Sequence, residues 1–173
     1  IHNVIDALKV KLNGDVSIIT RLDDDVQIYA DQSRLIQALA NILGNAIKFT
    51  KRGTINVETH LLAQKNMIEV RISDTGGGIP KEVLPNLFGK FVSKGRGNEE
   101  QHGTGLGLFI SKAIITAHRG EISAYNNKEG GATFVIVLPL NNNITNQQQA
   151  LMQSPLSIYP NTVSPMTYQT SYF

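Results

Sequence analysis

The sequence predicts a two-layer α/β sandwich built on a mixed sheet. Helix-like and strand-like segments are interleaved through the first 140 residues, and strand-like neighbours come in hairpin-like pairs. One long amphipathic helix has an apolar face broad enough to cover such a sheet. At 173 residues one domain is expected, with enough chain for a real core, and an apolar content of 41% is that of a globular protein.

"VSIITRL" (16–22) and "VQIYA" (26–30) are expected as short strands around an acidic turn at Asp23–Asp25. "DQSRLIQALANILGNAIKFT" (31–50) is the strongest helical pattern, capped by Asp31 or Ser33 and followed by Gly53. "TINVETHLL" (54–62) and "NMIEVRISD" (66–74) form a strand pair across a short polar turn. "KEVLPNLF" (81–88) is expected as a short helix, and residues 89–103 are glycine-rich, charged and irregular. A second helix spans 104–120 with Phe109, Ile110, Ala113, Ile114 and Ala117 as its apolar residues. Strands at 121–126 and 131–139 close the domain.

From Asn141 to Phe173 there is no Asp, Glu, Lys, Arg or His, and Asn, Gln, Ser, Thr and Pro dominate. A flexible tail or linker is expected there, or else a docking segment anchored by Tyr159, Tyr168, Tyr172 and Phe173. The net charge of +2 is too small to argue for nucleic acid or a membrane surface. Without cysteine there is no disulfide or thiolate metal site. No apolar run approaches ~18 residues. The sequence opens at Ile1 in a structured-looking stretch without a signal-peptide pattern, so it reads as a piece of a longer protein.

Three local patterns carry chemistry. On the long helix Leu35, Leu39, Ile42, Leu43, Ala46 and Ile47 share one face, while Asn41, Asn45 and Lys48 share the opposite one. Two mid-helix asparagines cost propensity. They are either solvated amides or a polar wall, in which amide oxygens suit Mg²⁺ and the lysine suits a phosphate. In "GTGLGL" (103–108), glycines at a helix start expose first-turn N–H groups to an anion, or simply make a loop-to-helix joint. The run is not a Walker A loop, because Gly-Lys-Ser/Thr is missing. In "MIEVRISD" the apolar Ile68, Val70 and Ile72 set a period of two that carries Asp74 to the interior side. A buried carboxylate needs donors. Turn amides would serve, and so would an adenine amino group lying against the bare backbone of "GGG".

In order and spacing, "ANILGNAIKFT", "SDTGGGIP", "LFGKFVSKG", "GTGLGLFISKAI" and "GGATFVIVLPL" closely resemble the ATP-binding catalytic domain of sensor histidine kinases. That Bergerat-type fold is shared with type II topoisomerases, mismatch-repair ATPases and heat-shock chaperone ATPases. The resemblance covers residues 1–140 and implies a mostly antiparallel sheet covered on one face by helices, with a flexible ATP lid over about 89–103. It implies ATP and Mg²⁺ as ligands. Asn45 would bind the metal, Asn41 would assist in the phosphate region, and Lys48 would approach the phosphates. Asp74 would accept from the adenine amino group, with Gly76, Gly78 and Ile79 on the base side and Thr133 supporting that end. Gly103, Thr104, Gly105, Leu106 and Gly107 would line the triphosphate. Phe88 and Phe91 would anchor the lid, with Lys90 a candidate for the γ-phosphate and Lys94 and Arg96 behind it. Two positions depart from the family pattern: Gly89, where an acidic residue is usual, and Gly77, where a side chain is usual.

Hydrolysing relatives carry a glutamate base one turn before the metal-binding asparagine. Asn41 stands there instead, which favours phosphoryl transfer over hydrolysis. The resemblance implies transfer to a histidine in an upstream dimerisation domain, and then a response regulator receiver domain as partner. None of His2, His60, His102 or His118 precedes an acidic residue as that acceptor does, and each is expected as an ordinary surface or loop histidine. A cytoplasmic setting is implied, within a parent that can carry a membrane anchor, with no direct membrane or nucleic-acid contact by this piece. An anti-sigma-type serine kinase and a non-catalytic ATP-binding switch are the competing expectations.

Overall fold

The computed structural model describes residues 1–10, 12, 14–23, 26–92 and 104–140. Helix α1 (His2–Lys9) leads into strand β1 (Val16–Arg21), helix α2 (Gln32–Phe49), and strands β2 (Gly53–Leu62) and β3 (Met67–Asp74). Helix α3 (Gly107–Ala117) and strands β4 (Glu121–Asn126) and β5 (Ala132–Pro139) follow. The sheet order is β1-β2-β3-β5-β4, with β1 parallel to β2 and every other pair antiparallel. This is the expected mixed, mostly antiparallel sheet.

Asp31 caps α2: its carboxylate accepts from the Arg34 N–H at 3.0 Å, and its own backbone is extended. A cap of this kind is worth about 1 kcal/mol. Ser33 lies inside the helix. The β2–β3 connection is a single 3₁₀ turn at Ala63–Lys65 closed by Asn66 in the left-handed region (φ 52°), a conformation asparagine tolerates better than most residues.

Two expected elements are absent. Residues 26–30 form no strand. β1 instead pairs in parallel with β2, from Val16 opposite Gly53 to Arg21 opposite Glu58, and parallel neighbours need a crossover. That crossover is α2, so 26–30 carry the chain from the sheet to the cap at Asp31 rather than turning back beside β1. Within 81–88 there is only the 3₁₀ turn Leu84–Asn86. Pro85 lies in its first turn and has no N–H to continue a ladder.

Along β3 burial alternates strictly, with Ile68, Val70, Ile72 and Asp74 on the covered face. Register places Leu138, Ile136 and Phe134 of β5 beside the first three of these, and Leu61, Thr59, Val57 and Ile55 of β2 along the other side. Val4, Ile5 and Leu8 of α1, Leu35, Ala38, Ile42, Leu43 and Ala46 of α2, and Ile114 and Ile115 of α3 belong to the same core. α3 departs from its expected pattern. Ser111, Ile114 and Ile115 are its buried residues, whereas Ala113 and Ala117 are exposed. Phe109, Ile110 and Ala113 line an open cleft together with Arg34 and His118.

Candidate functional site

The covered face of the sheet ends in a carboxylate. Asp74 is the last residue of β3, is only 4% exposed, and stands where the apolar period of the strand puts it. Its Oδ1 accepts from the Gly76 N–H at 2.8 Å and from the Ala132 N–H at 3.3 Å. Both hydrogen bonds to this carboxylate among the described residues use Oδ1, which leaves Oδ2 for another donor. The Asp74 carbonyl is held by Asn127 Nδ2 at 2.8 Å.

The three glycines after Asp74 differ from one another. A Cβ on Gly76 would lie 2.5 Å from Phe49 O and 3.0 Å from Asp74 Oδ1, so the end of α2 packs against this backbone. Gly78 has φ +66°, and a Cβ there would come 2.7 Å from Gly130 O and 2.9 Å from Asn126 Oδ1. Gly77 faces open space, with nothing within 4 Å. Protein contacts therefore require glycine at 76 and 78 and leave 77 unconstrained.

The polar face of α2 meets the start of α3. Asn41 Nδ2 donates to Gly107 O at 3.3 Å and lies 3.5 Å from Ser111 Oγ. The Ser111 hydroxyl, fully buried, sits 3.0 Å from Gly107 O and 3.3 Å from Ala38 O. Asn41 thus tethers two helices. Asn45, one turn on, is half-buried, and no hydrogen bond engages its amide among the described residues. Lys48 is exposed, with its Nζ 5.3 Å from the Phe49 ring centroid.

At the start of α3, Leu106 occupies the cap position without a side-chain cap bond, so among the described residues no side chain caps the first-turn N–H groups. Gly105 has φ +66°, and a Cβ there would lie 2.7 Å from the Phe91 carbonyl carbon. Phe91 itself has φ 60° and is largely exposed, whereas Phe88 packs edge-to-face on Phe134 at 6.5 Å. Lys90 Nζ lies 5.1 Å from the Phe109 ring centroid. A Cβ on Gly89 would sit 3.0 Å from Asn86 O and 3.2 Å from Val92 Cγ2, so its turn is tight for a side chain. Thr104 is exposed. Gly103, Lys94, Arg96 and His102 lie outside the described residues.

Thr133 is not brought to the Asp74 end. It pairs with Ser73, one residue short of Asp74, and its hydroxyl lies 2.9 Å from Ser73 Oγ. Alternation puts both on the sheet face opposite the helices, and Ala132 occupies the Asp74 side. Sequence reasoning missed four contributors: Ser111, His118, Asn126 and Asn127. For the asparagines the only signal was their adjacency at the end of a strand, before a glycine turn.

These donors and acceptors fit an adenine nucleotide with Mg²⁺. One oxygen of Asp74 is available to an exocyclic amino group, and the α3 start has uncapped N–H groups suited to phosphate. No cluster of three or more His, Asp or Glu side chains able to hold a metal occurs among the described residues. A cation here would rest on an amide oxygen such as that of Asn45 together with phosphate oxygens and water, with the amide standing where Mg²⁺ sites more often carry a carboxylate.

Comparison with known proteins places the chain in a family. Residues 30–142 match the family model described as histidine kinase-, DNA gyrase B-, and HSP90-like ATPase. The chain is 34% identical over 145 residues to the autoinducer 2 sensor kinase/phosphatase LuxQ of Vibrio harveyi, covering 81% of this chain and 17% of that protein. It is 39% identical over 126 residues to the adaptive-response sensory kinase SasA of Synechococcus elongatus, covering 71% of this chain and 32% of that one. The chain therefore spans a minor part of these curated relatives. Among solved structures, the catalytic domain of the histidine kinase ThkA superposes with a TM-score of 0.69 at 28% identity, covering 80% of this chain and 90% of that one. Full-length ShkA, solved in complex with AMPPNP, gives 0.68 at 26% identity, covering 80% of this chain and 28% of that one.

Proposed function

Because the chain belongs to the histidine kinase-, DNA gyrase B-, and HSP90-like ATPase family, we propose that it binds ATP with Mg²⁺ and supplies the γ-phosphoryl group to a histidine. The acceptor would lie in a dimerisation domain of the parent protein, and a response regulator receiver domain would take the phosphoryl group next. The observation that carries this reading is Asp74: a buried carboxylate at a strand end, with one oxygen fixed by two backbone N–H groups and the other free of them. A base amino group would satisfy that oxygen.

Asp74 holds the base end, with Gly76, Gly78 and Ile79 forming the backbone beside it. Asn45 offers an amide oxygen to the metal. Lys48 and Lys90 supply positive charge toward the phosphates, and residues 104–107 supply backbone N–H groups at the start of α3. Asn41 keeps that start in register with α2 through Gly107 O. Bound ATP would supply an activated phosphoryl group with ADP as the leaving group. With an asparagine at 41, no carboxylate stands where hydrolysing relatives place a general base, so the phosphoryl group is kept for a protein acceptor. That ShkA was solved with AMPPNP supports an adenine triphosphate ligand here.

Labelled ATP incubated with the full parent protein is expected to leave an acid-labile, base-stable phosphate on it. An acid-stable phosphate would identify a serine kinase instead. Calorimetric binding of ATP without any transfer would identify a non-catalytic switch. Asp74→Asn is expected to abolish most ATP affinity, and an unchanged titration would remove the adenine role.

A further inference from the structure

Asn126, the last residue of β4, pairs with Ile79 as a strand neighbour would. Its Oδ1 accepts from the Ile79 N–H at 2.7 Å, and its Nδ2 donates to Ile79 O at 2.8 Å. Only a primary amide offers a donor and an acceptor at that fixed spacing, and glutamine would place them one methylene too far out. The next residue, Asn127, performs the companion task at the other end of the loop. Its Nδ2 donates to Asp74 O at 2.8 Å, and its Oδ1 accepts from the Gly131 and Glu129 N–H groups at 3.0 and 3.1 Å. Two adjacent side chains of the β4–β5 turn thus hold the segment 74–79 at both ends. Between those ends lie three glycines, and a Cβ on Gly77 would meet nothing within 4 Å. A run with that much conformational freedom keeps one shape only if something outside it does the holding.

We infer that Asn126 is a positioning residue for base recognition. It fixes the Ile79 backbone and, through Gly78, the loop that faces a base bound at Asp74. The inference rests on the proposed adenine role of Asp74. Both Asn126 bonds lie at an exposed site where water can replace them, so losing them should cost little fold stability. The loss should fall on the contact that needs a fixed loop, namely discrimination of the base.

The test compares ATP with inosine triphosphate, which lacks the amino group, by calorimetric titration of the full chain. In Asn126→Ala the ATP affinity is expected to fall by about tenfold while the inosine triphosphate affinity changes by less than about threefold, collapsing the preference between them. Exchange of the Ile79 amide proton should accelerate. Asn126→Asp, which keeps the side-chain shape but sets an oxygen against Ile79 O, should show the same collapse if the alanine variant folds poorly. Equal weakening of both nucleotides, or an unchanged ratio, overturns the inference. Asp74→Asn is the control that separates the two claims. If it abolishes the preference and Asn126→Ala does not, the positioning role alone fails. If Asp74→Asn also retains the preference, or the unsubstituted chain has none, the base reading fails and the inference with it.

Discussion

His118 Nε2 accepts the backbone N–H of Asp31, the cap of α2, at 3.0 Å, while His118 Nδ1 lies 2.8 Å from Ile114 O. Only a neutral ring with its proton on Nδ1 can make both bonds, because a carbonyl needs a donor and an N–H needs an acceptor. The C-terminal end of α3 is thereby tied to the start of α2. Asn41 and Gly107 tie the opposite end. The histidine expected as an ordinary surface residue is one of the pins between the helices that carry the candidate phosphate side, beside the Asn41 and Ser111 contacts. Nitrogen-edited NMR at neutral pH should report the Nδ1–H tautomer. His118→Phe, which removes both bonds, should lower unfolding free energy by about 1–2 kcal/mol, and an unmoved denaturant midpoint would refute the pin.

Gly77 and Gly78 should respond oppositely to a side chain. Gly77→Ile meets open space and is expected to leave melting temperature and ATP affinity within error or slightly improved. Gly78→Ala must hold φ near +66° and press on Gly130 O and Asn126 Oδ1. Strain of about 1–3 kcal/mol is expected, with weaker nucleotide binding. Equal behaviour of the two variants, read by thermal melts and calorimetry, would contradict the geometry of the loop.

Asn45→Ala separates metal from base. With Mg²⁺ present, the variant's ATP affinity should drop by about tenfold. With Mg²⁺ chelated, the two proteins should bind ATP alike, because the amide then has nothing to coordinate. Equal losses in both conditions would assign Asn45 a direct nucleotide contact instead.

Residues 141–173 carry no charged side chain and are rich in Asn, Gln, Ser, Thr and Pro, and on that composition they are expected to add little to the fold. A chain ending at Leu140 should melt within about 2 °C of the full one, whereas a shift of several degrees would show that the segment packs on the domain.

Much of this architecture was legible because it is periodic. The period of two from Ile68 to Ile72 correctly carried Asp74 inward, and the apolar face of 31–50 identified α2 and its cap. Where periodicity was short the expectation slipped. "VQIYA" has strand composition, but the edge of β1 is paired with β2 after a helical crossover, a non-local fact that no five-residue window contains. Thr133 failed by a single position, because one step along β5 reverses the face. Asn126, Asn127 and His118 were illegible for a further reason. Their partners Ile79, Asp74 and Asp31 lie 47, 53 and 87 residues away, and no local pattern ties an amide or imidazole to a distant backbone group.

The placement of Asp74 on β3 has a dynamic consequence. β3 is flanked on both sides, by β2 and β5, so its amides should be among the slowest in the domain to exchange with solvent. Lys90 and Phe91, by contrast, sit on a segment outside regular secondary structure. Base recognition at Asp74, as proposed, would therefore be anchored in the part of the molecule expected to open last. A nucleotide gripping Asp74 should raise the protection of the entire sheet, because it can be released only by opening Asp74's surroundings or by leaving first.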